Sequence, residues 1–398
     1  MAKHTRDELA LYQSLPLEVK IRMTEDRIRG WVDHYGQEGV YVSFSGGKDS
    51  TVLLDIIRRK LQYDRIPAVF VDVPTQYPEL KTFAQREPNL EILKPKISFM
   101  QVCEKYGFPL ISKEVSESVE GARKYLTRLI NEQTVLTDRQ TDRQTDRQTC
   151  RINITSIELT ELASLLNKRM VNKEGGNNQR LAIMLGMLTK DQKIKANIPS
   201  EDRSNYSLEK YKFFLEAPFE ISNKCCTTFK KNPAHNYHKQ TGRNPITAQM
   251  ADESRLRMQK WIQNGCNGFN LKIPTSNPMS FWTEQDVLEY IVKYDLEICS
   301  VYGDVVEDFG EQLDGQIHLA DYGLAEKKRN YKCTGCQRTG CMLCGFGCHL
   351  EKSPNRFEML KQTHPKMYAL LDVVSNNGYT MRQAIDWINE HGNLDIKY

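Results

Sequence analysis

A short glycine-rich stretch near the N-terminus contains the residues best suited to binding a phosphate group. It reads Ser43-Phe44-Ser45-Gly46-Gly47-Lys48-Asp49-Ser50. Glycine lets the backbone approach an anion closely and direct its N–H groups at it. The serine hydroxyls add donors and the lysine adds a positive charge. This spacing is shorter than the Walker pattern, but it predicts a phosphate site formed by Ser43, Ser45, Gly46, Gly47, Lys48, Asp49 and Ser50.

The segments around this loop predict how the fold presents it. Apolar runs at residues 40–44, 68–72 and 90–93 predict strands, and amphipathic segments at 17–35, directly after the loop and at 99–106 predict helices. Strands that alternate with helices predict an α/β fold with a parallel twisted sheet covered by helices on both faces. Ligands of such sheets bind at the carboxyl ends of strands, where this loop lies.

The composition limits the class of protein. The chain has 398 residues, a formal net charge of +4 and 39% hydrophobic residues. These values predict a packed globular protein, and the mild charge alone does not indicate nucleic-acid binding. The sequence shows neither an apolar run of the ~20 residues that span a bilayer nor a signal-peptide pattern. We therefore expect a cytoplasmic protein without membrane association.

The cysteines are unevenly distributed. Of the eleven, five fall between Cys333 and Cys348, and two are adjacent at Cys225 and Cys226. Disulfide frameworks are rare in the cytoplasm, so this clustering predicts metal binding in a cysteine-rich C-terminal part. A zinc site formed by Cys333, Cys336, Cys341 and Cys344 is chemically reasonable.

The loop resembles the SGGKDS motif of the PP-loop superfamily, which binds ATP or adenylyl sulfates. The second strand ends at Asp72 and is followed by Glu79, as in that superfamily. The motif order over Val40–Lys124 and Ala217–Lys352 is most similar to bacterial and phage proteins of the phosphoadenosine phosphosulfate (PAPS) reductase family. The resemblance implies an adenine nucleotide alpha hydrolase-like fold, with Asp72 near the adenosine. It also implies that Arg255 or Arg257 contacts a sulfate or phosphate.

The cysteine motifs resemble those of iron–sulfur adenylyl-sulfate reductases. Cys225-Cys226-Thr-Thr-Phe-Lys-Lys-Asn-Pro is similar to their Cys-Cys-x-x-Arg-Lys-x-x-Pro segment, and Gly340-Cys341-Met-Leu-Cys344 to their Gly-Cys-x-x-Cys. The resemblance implies one [4Fe-4S] cluster held by Cys225, Cys226, Cys341 and Cys344. Cys333 and Cys336 are alternate ligands, zinc is an alternative metal, and a site without metal stays open.

One departure from the family bears on the reaction. Sulfonucleotide reductases carry a C-terminal Glu-Cys-Gly-x-His whose cysteine attacks the sulfate sulfur, whereas this chain has no cysteine after Cys348. The resemblance therefore implies ATP-dependent activation by Lys48 and Asp49, with Mg²⁺, coupled to sulfur transfer through the cluster. The alternatives are a sulfonucleotide reductase with Cys348 as a relocated nucleophile, and a non-catalytic nucleotide-binding or cluster-binding partner. The expected partners are an adenine nucleotide and a nucleic-acid or protein sulfur acceptor, and a homodimer stays open.

Four segments are expected along the chain. They are the nucleotide-binding part (1–130), a helical and low-complexity insertion (131–205), the rest of the PAPS reductase-like domain with its cysteine cluster (206–350) and a C-terminal helical extension (351–398). The insertion repeats Thr-Asp-Arg-Gln three times, ending at Gln148. We expect a surface insertion or disordered segment there, because the repeat lacks apolar residues. A tandem tetranucleotide would encode this repeat, so phase-variable expression and a harmless slippage product are both open interpretations.

Overall fold

The computed structural model describes residues 3–138, 176–187, 207–308 and 329–398. These residues form two compact units, each made of two stretches of chain. The first unit comprises Met1–Lys96 and Phe229–Cys341, and the second comprises Ile97–Thr228 and Met342–Tyr398. The boundaries of these units differ from those of the four predicted segments, which stay predictions. Most of the predicted insertion, including the repeat beyond Asp138, lies outside the described residues.

The strands are short throughout the chain. They are β1 (Val40–Ser43), β2 (Ala68–Val71), β3 (Leu90–Leu93), β4 (Leu110–Ile111), β5 (Asn244–Ile246), β6 (Asn267–Gly268), β7 (Thr275–Ser276), β8 (Val305–Glu307), β9 (Tyr331–Cys333) and β10 (Gly345–Phe346).

Helices precede, separate and follow these strands. They are α1 (Arg6–Ser14), α2 (Leu17–Tyr35), α3 (Lys48–Asp55), α4 (Pro78–Ala84), α5 (Phe99–Tyr106), α6 (Lys113–Asp138), α7 (Gly176–Met184), α8 (Asn232–Thr241), α9 (Arg255–Asn264), α10 (Glu284–Lys293), α11 (Arg356–Thr363), α12 (Pro365–Tyr368) and α13 (Met381–Gly392). Within the described residues, no helix has the length and apolar character needed to cross a membrane.

The first unit is built on a six-stranded sheet with the order β3-β2-β1-β5-β7-β6. Neighbouring strands from β3 to β7 are parallel, as the sequence predicts for most of the sheet. The edge strand β6 is antiparallel to β7, with Asn267 opposite Ser276. The sheet is therefore mixed rather than wholly parallel.

Helices cover both faces of this sheet, as the sequence predicts. Successive residues of a strand point to opposite faces, and Val40 and Val42 of β1 lie in the main hydrophobic core with residues of α2, α3 and α10. Tyr41, which lies between them, belongs to a smaller cluster with Val69 and Tyr237 of α8. The carboxyl end of β1 thus emerges from a sheet that is packed on both sides.

A two-stranded antiparallel sheet in the first unit carries Cys333, the first cysteine of the C-terminal motif. Strands β8 and β9 are antiparallel, with Val305 opposite Cys333. The Gln285 side chain on α10 donates to the Tyr331 carbonyl oxygen at 3.0 Å and accepts from the Tyr331 N–H at 2.8 Å. Because these two bonds replace the pairing that another strand would provide, they fix β9 to α10.

The second unit joins the segment after β3 to the C-terminal part of the chain. Strands β4 and β10 are parallel, with Leu110 opposite Gly345. Trp387 of α13 packs against Phe219, with ring centroids 5.5 Å apart and the rings nearly perpendicular. The second unit therefore has an aromatic core of its own.

Candidate active site

The glycine-rich loop connects β1 to α3 through a turn that only glycine fits. Gly46 has φ of 71°, a left-handed conformation that disfavours residues with a side chain. A Cβ atom at this position would lie 2.8 Å from the carbonyl oxygen of Leu80. Both facts explain why glycine is needed at Gly46, and they bring the loop backbone close to α4.

Serine hydroxyls hold the loop amides in place. Ser45 N donates to Ser50 Oγ at 3.2 Å, and Gly47 N donates to Ser45 Oγ at 3.3 Å. Ser50 Oγ in turn donates to the Gly47 carbonyl oxygen at 2.9 Å. Ser43, the last residue of β1, is half-buried just before the loop. Ser45 and Ser50 thus shape the loop, and their hydroxyls lie near the start of α3, where an anion would bind.

Lys48 is almost completely buried, with 3% of its surface exposed. Its Nζ donates to the Gln337 carbonyl oxygen at 2.7 Å and forms an ion pair with Glu284 Oε1 at 3.0 Å. Its backbone N–H donates to the Tyr302 hydroxyl at 3.2 Å. Lys48 is therefore held by residues from α10 and from the segment that follows β9.

Asp49 is a half-buried carboxylate beside this lysine. Burial raises its pKa, and Glu284 adds to that effect, whereas Lys48, Arg338 and Arg257 oppose it. Its Oδ1 atom is buried and has no hydrogen-bond partner among the described residues. An uncompensated carboxylate oxygen is costly in such a place, so Asp49 is suited to a ligand or metal ion rather than to a structural role.

Four of the predicted loop residues, Ser45, Gly47, Lys48 and Asp49, line a cavity of about 160 Å³ in the first unit, whereas Ser43, Gly46 and Ser50 are not among its lining residues. Pockets that hold drug-sized ligands generally measure about 300–1,000 Å³, so this cavity has room for part of a nucleotide, such as its phosphates, rather than for all of it. The lining residues are Ser45, Gly47, Lys48, Asp49, Met250, Glu253, Glu284, Tyr302, Arg338 and Thr339.

The two predicted arginines differ in position. Arg257 on α9 forms an ion pair with Glu253, which lines the cavity. Burial lowers the pKa of Arg257, and the neighbouring Asp49 counteracts this shift. Arg255 is exposed at the start of the same helix. The structure therefore places Arg257 beside the cavity and does not place Arg255 among its lining residues.

Asp72 follows β2 and is also outside the residues that line this cavity. Its Oδ2 accepts from Lys81 Nζ on α4 at 2.7 Å. The predicted contact of Asp72 with an adenosine stays a prediction, and a nucleotide that used this carboxylate would meet it already paired with a lysine.

The predicted cluster ligands are half-buried and belong to both units. Cys225 and Cys226 lie on a helical turn of the second unit, Cys344 follows later in that unit, and Cys341 is the last residue of the first. The described residues contain no group of three or more His, Cys, Asp or Glu side chains arranged to hold a metal ion. The cluster and its zinc alternative, with Cys333 and Cys336, therefore remain predictions from the motifs.

Cys348 is placed unfavourably for the predicted nucleophile. Its side chain is buried with 1% exposed, and its Sγ donates to the Gly345 carbonyl oxygen at 2.9 Å. Burial raises the pKa of this thiol to about 12. Because a thiolate is the attacking species in thiol chemistry, a buried and protonated Cys348 does not fit that role.

Sequence reasoning missed six residues of the site. The cavity is also lined by Met250, Glu253, Glu284, Tyr302, Arg338 and Thr339, all of which lie at least 200 residues after the loop. Glu284 belongs to a Trp-Thr-Glu-Gln-Asp motif whose pattern indicates a helix start, and the structure shows Thr283 capping α10 there. That motif could have identified Glu284 only if a charged residue in the first turn had been taken as functional.

The family of the chain follows from comparison with known proteins. The model of the phosphoadenosine phosphosulfate reductase domain matches residues 39–158 and 170–345, which together make up more than half of the chain. The chain belongs to this family. PAPS reductase-family membership indicates an enzyme that acts on nucleotides. Phosphate binding by the loop at the end of β1 stays a prediction.

Comparisons with solved structures and with curated sequences do not extend this family assignment. The chain is similar to the crystal structure of phosphoadenylyl-sulfate (PAPS) reductase from Candida auris in its phosphate complex, with 12% identity and a TM-score of 0.30. That similarity covers 74% of this chain and 90% of the other. No curated protein sequence matches the chain.

Proposed function

We propose that this PAPS reductase-family protein uses Mg²⁺ and ATP to adenylate an acceptor, releasing pyrophosphate. The observation that carries the proposal is the buried Asp49 Oδ1 atom, which has no hydrogen-bond partner among the described residues and belongs to a cavity that Glu253 and Glu284 also line. Carboxylates repel a bare phosphate group, but they suit a phosphate that arrives with a divalent cation. Mg²⁺ is commonly bound through one or two carboxylates together with substrate phosphates and waters, so an assembled protein cage is not required.

The chain's own residues account for the charge that develops during this reaction. An acceptor oxygen attacks the α-phosphorus, the bond to the β-phosphate breaks, and pyrophosphate leaves with the electron pair. The Lys48 ammonium would stabilise the leaving pyrophosphate. Lys48 must first leave Glu284 and the Gln337 carbonyl, which now hold it.

Sulfur transfer and the acceptor extend this proposal. A [4Fe-4S] cluster, when bound, supplies a centre for sulfur or electron transfer, and the cysteine motifs are the support for it. We propose a cytoplasmic enzyme whose acceptor is a nucleic acid or a protein that receives sulfur. A sulfonucleotide reductase is the second candidate. In the form that the sequence suggests, Cys348 would be its nucleophile, and the burial of this thiol weakens that candidate. The third candidate, a non-catalytic nucleotide-binding protein, would bind the nucleotide without converting it.

Pyrophosphate release tests the proposal. The full chain, purified without oxygen, is incubated with Mg²⁺, ATP and either DNA, tRNA or cell protein, and pyrophosphate is measured over time. We expect release that depends on one acceptor and is lost in Lys48→Ala, whereas Arg22→Gln on the exposed face of α2 retains it. ATP binding without pyrophosphate release in the presence of any of these acceptors would contradict the proposal. Sulfite release from adenylyl sulfate would instead favour the reductase.

A further inference from the structure

The turn after β9 forms part of the phosphate cavity. Within this cysteine turn (residues 336–339), the Gln337 carbonyl oxygen accepts from Lys48 Nζ at 2.7 Å. Thr339 Oγ1 is 2.6 Å from the hydroxyl of Tyr302, which is the group that accepts from the Lys48 N–H. The cysteine turn therefore contacts the phosphate loop twice, once directly and once through Tyr302.

Backbone hydrogen bonds to the segment just before β8 fix the cysteine turn. Cys336 N donates to the Val301 carbonyl oxygen at 3.0 Å, and Gly335 N donates to that of Tyr302 at 2.8 Å. A Cβ atom on Gly335 would lie 2.6 Å from the Val301 carbonyl oxygen. This close approach holds Arg338 and Thr339 at the cavity edge, where both are lining residues.

Charge pairing around the cavity leaves one arginine available. Lys48 is paired with Glu284, and Arg257 is paired with Glu253. Arg338 is an exposed residue that lines the cavity and forms no hydrogen bond or ion pair with any residue the structure describes, although its charge acts on Asp49 through space. It is therefore the lining cation that can bind an anion without first breaking an ion pair to a described residue.

We propose that Arg338 binds the oxyanion group that lies beyond the α-phosphate of the bound adenine nucleotide. That group is a terminal phosphate of ATP, for which the inference rests on the proposed function, or the sulfate of an adenylyl sulfate. A guanidinium binds such oxygens through two parallel hydrogen bonds, and the cavity has room for this part of a nucleotide. The cysteine turn thus supplies a substrate-binding residue to the cavity that Lys48 also lines.

Equilibrium binding to the full chain tests this assignment. ATP, adenylyl sulfate and AMP are titrated calorimetrically against the unchanged protein, Arg338→Gln, Arg338→Lys and the surface control Arg22→Gln. We expect Arg338→Gln to weaken binding of ATP or adenylyl sulfate by about tenfold or more, as for loss of a charged hydrogen bond, and to leave AMP binding unchanged. Arg338→Lys should restore only part of the affinity, because lysine cannot bind in a bidentate manner.

The outcomes separate this inference from the proposed function. If Arg338→Gln weakens ATP binding, Arg338 binds a phosphate; if it weakens adenylyl sulfate binding, Arg338 binds the sulfate. Equal affinities of Arg338→Gln and the unchanged protein for both ligands would overturn the inference, and so would a protein that binds neither ligand more tightly than AMP. Arg338-dependent ATP binding without pyrophosphate release for any acceptor would support the inference and reject the proposed function.

Discussion

At the scale of single residues, Asp49 links function to stability. Burial raises its pKa, so the folded state binds its proton more tightly than the unfolded state, in which an aspartate titrates near pH ~3.9. The charged form therefore costs stability, and this cost grows as the pH rises from about 4 towards and through the raised pKa of the folded state. A carboxylate kept at such a cost is typical of a functional site.

Replacing Asp49 with asparagine should separate these two effects. We expect Asp49→Asn to raise the melting temperature at pH 7 by removing the buried charge, and to reduce nucleotide-dependent turnover. The gain should shrink below pH 4, where the wild-type carboxyl is protonated in both states. Thermal unfolding from pH 3 to pH 8 measures it, and a gain that does not change with pH would contradict the assigned cause.

The left-handed conformation of Gly46 leads to a second prediction for a single residue. Gly46→Ala should destabilise the first unit by about 1–3 kcal/mol, because it forces a side chain into a left-handed conformation and towards the Leu80 carbonyl. The matched control is Gly30→Ala in α2, where a Cβ would meet nothing within 4 Å. That change should stabilise the helix by about 0.5–1 kcal/mol. Denaturant unfolding of both variants tests the contrast, and equal effects would show that the loop tolerates a side chain.

At the scale of elements, the site depends on how α10 is anchored. This helix carries Glu284 at its first turn, and Thr283 caps it together with Asp286. Asp286 is also bound by Lys20 of α2, whose Nζ donates to both carboxylate oxygens at 2.7 Å. Both side chains are buried, so one buried ion pair fixes the helix that presents Glu284 to Lys48.

Breaking this ion pair should affect both stability and the site. Lys20→Met leaves the Asp286 charge buried without its partner, a change that costs about 3–5 kcal/mol. Lys20→Met/Asp286→Leu should recover part of the loss, because neither charge is then buried. Unfolding in urea gives the stabilities, and ATP titration shows whether loosening α10 weakens binding. Equal stabilities of Lys20→Met and the unchanged protein would mean that α10 is anchored elsewhere.

The sequence predicts those elements whose pattern is local. Strands β1, β2 and β3 are apolar runs, and the loop between β1 and α3 is recognisable from its own residues. Strands β6 and β7 have two residues each, and polar pairs such as Asn267-Gly268 carry no strand pattern. The contact of Lys48 with Glu284 and Gln337 arises from tertiary packing. These residues lie far apart in the chain, so no local sequence pattern predicts that they meet.

At the scale of the whole molecule, the cysteines come from separate stretches of the chain. The adjacent pair at Cys225 and Cys226 precedes β5, whereas Cys341 and Cys344 follow β9. A metal bound by both pairs would link segments about 115 residues apart in sequence, as such sites often do when metal binding contributes to folding. Metal content and stability should then change together.

Metal analysis of the anaerobically purified chain is the prediction that follows. We expect about four irons and four sulfides per chain, as for one [4Fe-4S] cluster, with loss of iron and a lower melting temperature in Cys225→Ser and Cys344→Ser. Cys348→Ser should retain its iron, because its thiol is buried and bonded to the Gly345 carbonyl. Stoichiometric zinc without sulfide, lost in Cys333→Ser and Cys336→Ser, would instead make the later cysteines a structural site and leave adenylation without a cluster.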